Sequence, residues 1–67
     1  MKNKLKQFRE GRGVTQRELG SAVGVSRQAI NAVETGKCDP SIQLAYALAQ
    51  YFSVTIEELF DFSKDTH

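Results

Sequence analysis

The sequence predicts an all-α fold, a compact bundle of five short helices forming one domain over residues 1–67. Three observations lead there. Apolar residues recur at three- and four-residue spacings, and no alternating stretch is long enough for a substantial sheet, although a short β pairing at a terminus fits the ends. Glycine or proline punctuates the apolar runs, with Ser, Thr or Asp at cap positions before four of them. At 67 residues, 40% hydrophobic and 25% charged, the chain has room for one modest core and lies outside the disordered and fibrous classes.

In the first helix Leu5 and Phe8 stand three apart, with Lys4, Lys6, Gln7, Arg9 and Glu10 on the polar side, and Gly11 and Gly13 end it. Thr15-Gln16-Arg17-Glu18 then fits a capping box: the Thr hydroxyl accepts from the Glu18 amide while the carboxylate reaches back to the Thr amide. Leu19, Ala22 and Val23 give the second helix its apolar stripe, and Gly24 allows the sharp turn after it. Ser26 is a good N-cap for a third helix with Ala29, Ile30 and Val33 inward, closed by Gly36. Pro40 suits the first turn of a fourth, capped by Asp39 or Ser41, with Leu44, Ala45, Leu48, Ala49 and Phe52 at helical spacing. Thr55-Ile56-Glu57-Glu58 repeats the capping box before a short fifth helix ending in Leu59 and Phe60. Phe62 and a polar tail follow.

Several functions are excluded early. The longest uncharged stretch, residues 40–56, is broken by Ser41, Gln43, Gln50, Ser53 and Thr55, so no segment reads as a membrane span. The basic start, Met1-Lys2-Asn3-Lys4-Leu5-Lys6, has no apolar block behind it and does not read as a secretory signal, which leaves a cytoplasmic location expected. Cys38 is a lone cysteine and His67 a lone histidine at the end of the chain, so neither a disulfide, a metal site nor a cofactor is expected. No nucleophile–base pair or phosphate-cradling glycine loop is visible, and an enzyme is the weakest reading.

Charge is divided unequally. Overall it is +1, but residues 1–37 hold eight basic against three acidic side chains, net +5, while residues 38–67 hold one against five, net −4. One half of the chain is therefore suited to a polyanion, unless these charges merely solvate helix faces.

Residues 16–35 read QRELGSAVGVSRQAINAVET, with apolar Leu19, Val23, Val25, Ile30 and Val33, small Gly20, and Gly24 four residues later. Two helices crossing near a right angle over a three- to four-residue turn need apolar residues at such places and a small residue where backbones approach. Gly20 costs about 1 kcal/mol of helix propensity relative to Ala, which a close approach would account for, the alternative being a merely tolerated weak point. With Arg9 and Thr15-Gln16 before this core, and Glu34-Thr35-Gly36-Lys37 and Pro40-Ser41 after it, residues 3–60 closely resemble the helix-turn-helix family of phage repressors, Cro-like proteins and xenobiotic-response-element type regulators.

The resemblance implies a lambda-repressor-like DNA-binding domain, with its helix-turn-helix core at about residues 16–35 and a double-stranded DNA operator as partner. In that family the helix beginning at Ser26 enters the major groove, and the one beginning near Gln16 lies across the backbone. Arg27 and Gln28 then become the expected base readers: Arg can hold guanine O6 and N7, Gln adenine N6 and N7, each pair worth ~1–3 kcal/mol of discrimination. Asn31, a turn further on, would meet a base or a phosphate, and Ala32 a thymine methyl. Gln16, Arg17, Ser26, Thr35 and Lys37 are the expected phosphate contacts, joined by the amides at the start of the second helix. For all of these the alternative is an ordinary solvated or capping residue. Arg9 and Glu34 match a family ion pair between the first and third helices. Asp39 departs from the pattern, since many relatives carry Asn there and phosphate would repel a carboxylate, so a capping role is expected of it.

One reading helix recognises few bases, so the leading expectation is a repressor acting as a homodimer on a pseudo-palindromic operator, with half-sites ~34 Å apart. Tyr51, Ile56, Phe60 and Phe62 are the candidate interface, the alternative being that they complete the domain's own core. A second functional class stays open: an antitoxin-like or adaptor module whose task is to bind a protein partner.

Overall fold

A computed structural model describes residues 1–62; the polar tail, with Lys64, Asp65 and His67, lies outside the described residues. The described chain is all-α, in the order α1 (Leu5–Gly11), α2 (Gln16–Val23), α3 (Arg27–Glu34), α4 (Ile42–Phe52) and α5 (Ile56–Leu59). Its β structure is one antiparallel bridge between Asn3 and Phe60, the short terminal pairing that the sequence allowed.

Local chemistry sets the helix starts. At α2 the Thr15 hydroxyl accepts from the Glu18 amide at 3.0 Å, and the Glu18 carboxylate accepts from the Thr15 amide at 2.9 Å. Thr55 and Glu58 repeat the box at α5, at 3.1 and 2.7 Å. Ser26 accepts from the Ala29 amide at 3.1 Å to cap α3. Each cap contributes about 1 kcal/mol. The start of α4 differs from expectation by a residue: Ser41 is the N-cap, accepting from the Leu44 amide, and Pro40 precedes the cap instead of occupying the first turn. Asp39 caps nothing; its carboxylate lies 3.2 Å from the Met1 amino group.

The core gathers Leu5, Leu19, Ile30, Val33, Leu48, Phe52, Leu59 and Phe60 from all five helices and the residue after the last. In α2 the inward arc runs through Leu19, Gly20 and Val23, whose mean direction turns Ala22 about 100° away, so Ala22 is exposed, contrary to its place in the expected stripe. Phe60 is also corrected: it leaves α5 in extended conformation, bridges to Asn3 and is 1% exposed, so it fills the protein's own core and is unavailable to a partner.

The α2–α3 angle depends on Gly20. A Cβ there would stand 2.6 Å from the Val25 carbonyl oxygen, inside any tolerable contact, and the same backbones share a hydrogen bond from Val25 N to Gly20 O of 2.9 Å. Gly24 closes α2 at φ +80°, a left-handed conformation that side chains disfavour. A contact not foreseen joins the far ends of α1 and α4. The Arg12 guanidinium donates to the Phe52 carbonyl at 3.1 Å and sits 5.5 Å from the Phe52 ring centre, combining a helix C-terminal cap with a cation–π contact.

Candidate nucleic-acid interface

Helix α3 has two unlike faces. Ile30 and Val33 are buried beneath it, while Arg27, Gln28 and Asn31 are exposed and Ala32 is half-buried. Arg27 is the first helical residue after the Ser26 cap, so it and Gln28 stand where the chain emerges from the turn. Arg27 also joins Arg9, Thr15, Gln16 and Arg17 around an open depression of about 470 Å³. Three guanidinium groups and the amide end of α2 therefore border one hollow. Arg9 is paired with Glu34, so Arg17 and Arg27 supply the net positive charge, which with the helix dipole favours an anion.

Beneath that hollow lies a polar network. The Arg9 guanidinium donates to the Glu34 carboxylate at 2.6 and 3.3 Å and to the Val14 carbonyl at 2.8 Å. Gln16 Nε2 donates to the same carboxylate at 3.0 Å. The Arg9 and Glu34 side chains are only 12% and 3% exposed, and the hydrogen bond to Glu34 raises the Arg9 pKa further above its already high range. The ion pair matches expectation; the third member does not, because eighteen residues separate Gln16 from Glu34 and no periodicity links them. One Gln16 amide hydrogen is engaged in this bond, which ties the start of α2 to the end of α3.

The remaining expected phosphate contacts fall at the two ends of α3. Ser26 Oγ accepts from the Ala29 amide, so its hydroxyl hydrogen is still available to donate, and Arg17 is exposed on the first turn of α2. At the other end the Thr35 hydroxyl donates to the Asn31 carbonyl at 2.9 Å, and Lys37 is exposed in the following turn with its amide on the Ala32 carbonyl. Sequence reasoning missed Asn3 altogether. Its Nδ2 donates to the Val33 carbonyl at 2.8 Å, gripping the last turn of α3, while its Oδ1 accepts from the Leu5 amide at 3.0 Å.

The carboxylates lie elsewhere: Glu57, Glu58 and Asp61 gather with Lys4 beside α5. An apolar face also involves this region. Ile42, Tyr46 and Phe62 are 70%, 57% and 40% exposed, and with Ala49, Val54 and Ile56 they border an open depression of about 430 Å³. Of the residues expected at an interface, Ile56 and Phe62 are on this face. Tyr51 is half-buried, its ring edge-on to Phe52 at 4.9 Å. Ile42 and Tyr46 were overlooked, though their four-residue spacing, off the core stripe of α4, was visible. Among the described residues no group of His, Cys, Asp or Glu is arranged to hold a metal ion, and no helix is long and apolar enough to cross a membrane.

Comparison with known proteins agrees with this geometry. The helix-turn-helix family pattern matches residues 5–59. An uncharacterised HTH-type transcriptional regulator of Methanocaldococcus jannaschii is 49% identical over 97% of this chain and 98% of its own length. A Bacillus subtilis relative described in the same words, YgzD, is 43% identical over 90% of this chain and 91% of its own. The HTH-type transcriptional activator BcrR of Enterococcus faecalis is 43% identical over 84% of this chain, but that match covers 28% of BcrR. These relatives are described as transcriptional regulators, and with fold, pattern and, for the first two, near full-length likeness in accord, the chain belongs to the Cro/C1-type helix-turn-helix family of DNA-binding transcriptional regulators.

Proposed function

We propose that this protein is a homodimeric repressor that binds a pseudo-palindromic DNA operator sequence-specifically, reading the major groove with α3. The observation that carries the reading is the placement of Arg27, Gln28 and Asn31 on the outer face of a helix whose inner face is fixed by Ile30, Val33 and the Arg9–Glu34–Gln16 network. In this arrangement Arg27 and Gln28 read base edges, Asn31 meets a base or phosphate, and Ala32 offers its methyl to thymine. Arg17, Ser26, Thr35 and Lys37 position the domain on phosphates, with Gln16 contributing its backbone amide and remaining amide hydrogen.

Repression needs only occupancy of a promoter, which a domain of this size can supply without a further surface for polymerase. The second copy is assigned to the α4–α5 face, where Ile42, Tyr46, Ile56 and Phe62 form an exposed apolar patch of the kind that marks interaction sites. A two-fold axis there presents two reading helices to successive major grooves.

The test is a competition-binding series on operator variants chosen from a randomised duplex pool. Arg27→Ala flattens discrimination among base-pair substitutions, whereas Lys37→Ala weakens all duplexes alike and lowers the salt slope by about one unit. Equal, sequence-independent losses from both variants refute the division between readers and positioners. Loss of reporter expression when the operator overlaps a promoter tests the sign of regulation; increased expression refutes repression.

A further inference from the structure

The geometry points to a DNA-backbone contact in the N-terminal segment: Lys2, strapped across the carboxyl end of α3 by Asn3, takes a phosphate beside that end of the reading helix. This inference rests on the DNA-binding reading above and extends it to a part of the chain outside the helix-turn-helix core.

The segment is held in place at several points. Its backbone pairs with the chain after α5, through Lys4 N to Leu59 O at 2.8 Å and Asp61 N to Lys2 O at 2.9 Å. The Asn3 amide donates to the Val33 carbonyl at 2.8 Å, so the strap is tied directly to the last turn of α3. Backbone packing completes the attachment, since a Cβ on Gly36 would be in ordinary contact, 3.4 Å, with the Met1 carbonyl oxygen.

The result is a second hollow of about 350 Å³ at the carboxyl end of α3, bordered by Met1, Lys2, Asn3, Glu34, Thr35 and Gly36. Lys2 is exposed there, and exposed Lys37 follows Gly36 in the chain. Glu34, the carboxylate on this rim, is already neutralised by Arg9. A phosphodiester is the fitting ligand: an ammonium is a compact point charge that binds phosphate without needing a fixed orientation, which suits a contact that positions but does not specify. Lys2 with Lys37 then supplies positive charge at the carboxyl end of the reading helix, the end that the Gln16–Glu34 bond ties to the start of α2. Asn3 is a positioning residue, acting through Lys2.

Salt dependence tests this. One phosphate contact contributes a slope of about 0.9 in log K against log salt, equivalent to about fivefold in affinity at 0.15 M. Lys2→Gln is expected to lose that much on both a selected operator and a mixed-sequence duplex. Lys6→Gln, which removes an exposed charge from α1, is expected to leave the slope within about 0.3 of wild type. In an Asn3→Ala background, with folding verified by circular dichroism, Lys2→Gln is expected to add a smaller loss, because the tie to Val33 is gone while the backbone pairing with Leu59 and Asp61 remains. A Lys2→Gln effect no larger than that of Lys6→Gln, or one that persists undiminished after Asn3→Ala, overturns the inference. Wild-type protein that binds no duplex at all refutes the DNA-binding reading itself and this contact with it.

Discussion

Replacing Gly20 with alanine tests the geometry of the helix pair most directly. The added methyl would stand 2.6 Å from the Val25 carbonyl oxygen and 3.2 Å from the carbonyl carbon and oxygen of Ser26, where ordinary contact begins near 3.4 Å. All three neighbours are backbone atoms, so no flexible side chain can yield; the turn must move outward by several tenths of an ångström. Overpacking of this kind costs about 1–3 kcal/mol, offset by the roughly 1 kcal/mol that Ala gains over Gly in a helix. A net loss of about 0–2 kcal/mol follows, which for a domain this small lowers Tm by up to roughly 15 °C. The matched control is Gly11→Ala at the last residue of α1, where nothing lies within 4 Å of the new methyl and stability is expected to rise by about 0.5 kcal/mol. Thermal unfolding followed by circular dichroism reads both. If Gly20→Ala is as stable as the Gly11→Ala control, the two backbones do not approach as described and the argument for the α2–α3 angle fails.

Other outcomes follow from the same contacts. Arg9→Ala leaves the Glu34 carboxylate nearly buried with Gln16 as its remaining side-chain partner, and is expected to cost about 3–5 kcal/mol in urea titrations, while Arg9→Met combined with Glu34→Leu recovers much of that loss. Equal stability of the single and double variants would show that the charge pair is not what Arg9→Ala disturbs. Ser53 caps α4 at φ +58°, so Ser53→Gly should stabilise the protein by about 0.5–1 kcal/mol; a drop in Tm argues against that left-handed cap. Ile42→Arg, at a side chain 70% exposed, should abolish self-association in sedimentation runs while changing stability by less than about 0.5 kcal/mol, and an unchanged dimer removes this face from the interface.

Much of the fold was legible because its signals are local. Both capping boxes, the Ser26 cap and Gly24 are recognised within four residues of chain, and each helix start they imply is found. Gly20 was legible for a related reason: a residue that weakens a helix needs a cause, and the crossing backbone supplies it. The inward stripes were read correctly where a helix is long, as in α4, and less well in α2, where one extra buried position rotates Ala22 into solvent. α5 is only four residues long, too short for periodicity to orient Phe60, and its burial is decided by the bridge to Asn3. Long-range polar contacts left no trace at all. Asn3 to Val33, Arg12 to Phe52 and Gln16 to Glu34 join residues 30, 40 and 18 positions apart, and nothing in hydrophobic spacing encodes such pairings. The Arg9–Glu34 pair was anticipated only through family resemblance. The exposed pair Ile42 and Tyr46 was visible but masked by the stronger stripe beside it.

The polar network under α3 also bears on the thermodynamics of association. With Glu34 held by both Arg9 and Gln16, and the crossing closed at Gly20, α3 has little freedom left to lose if it meets DNA as proposed. Calorimetry should then record a heat-capacity change no larger than the buried contact area accounts for, without the additional decrement that accompanies folding on binding. Adaptation to different sequences would have to come from the long side chains at the surface, not from the backbone that carries them.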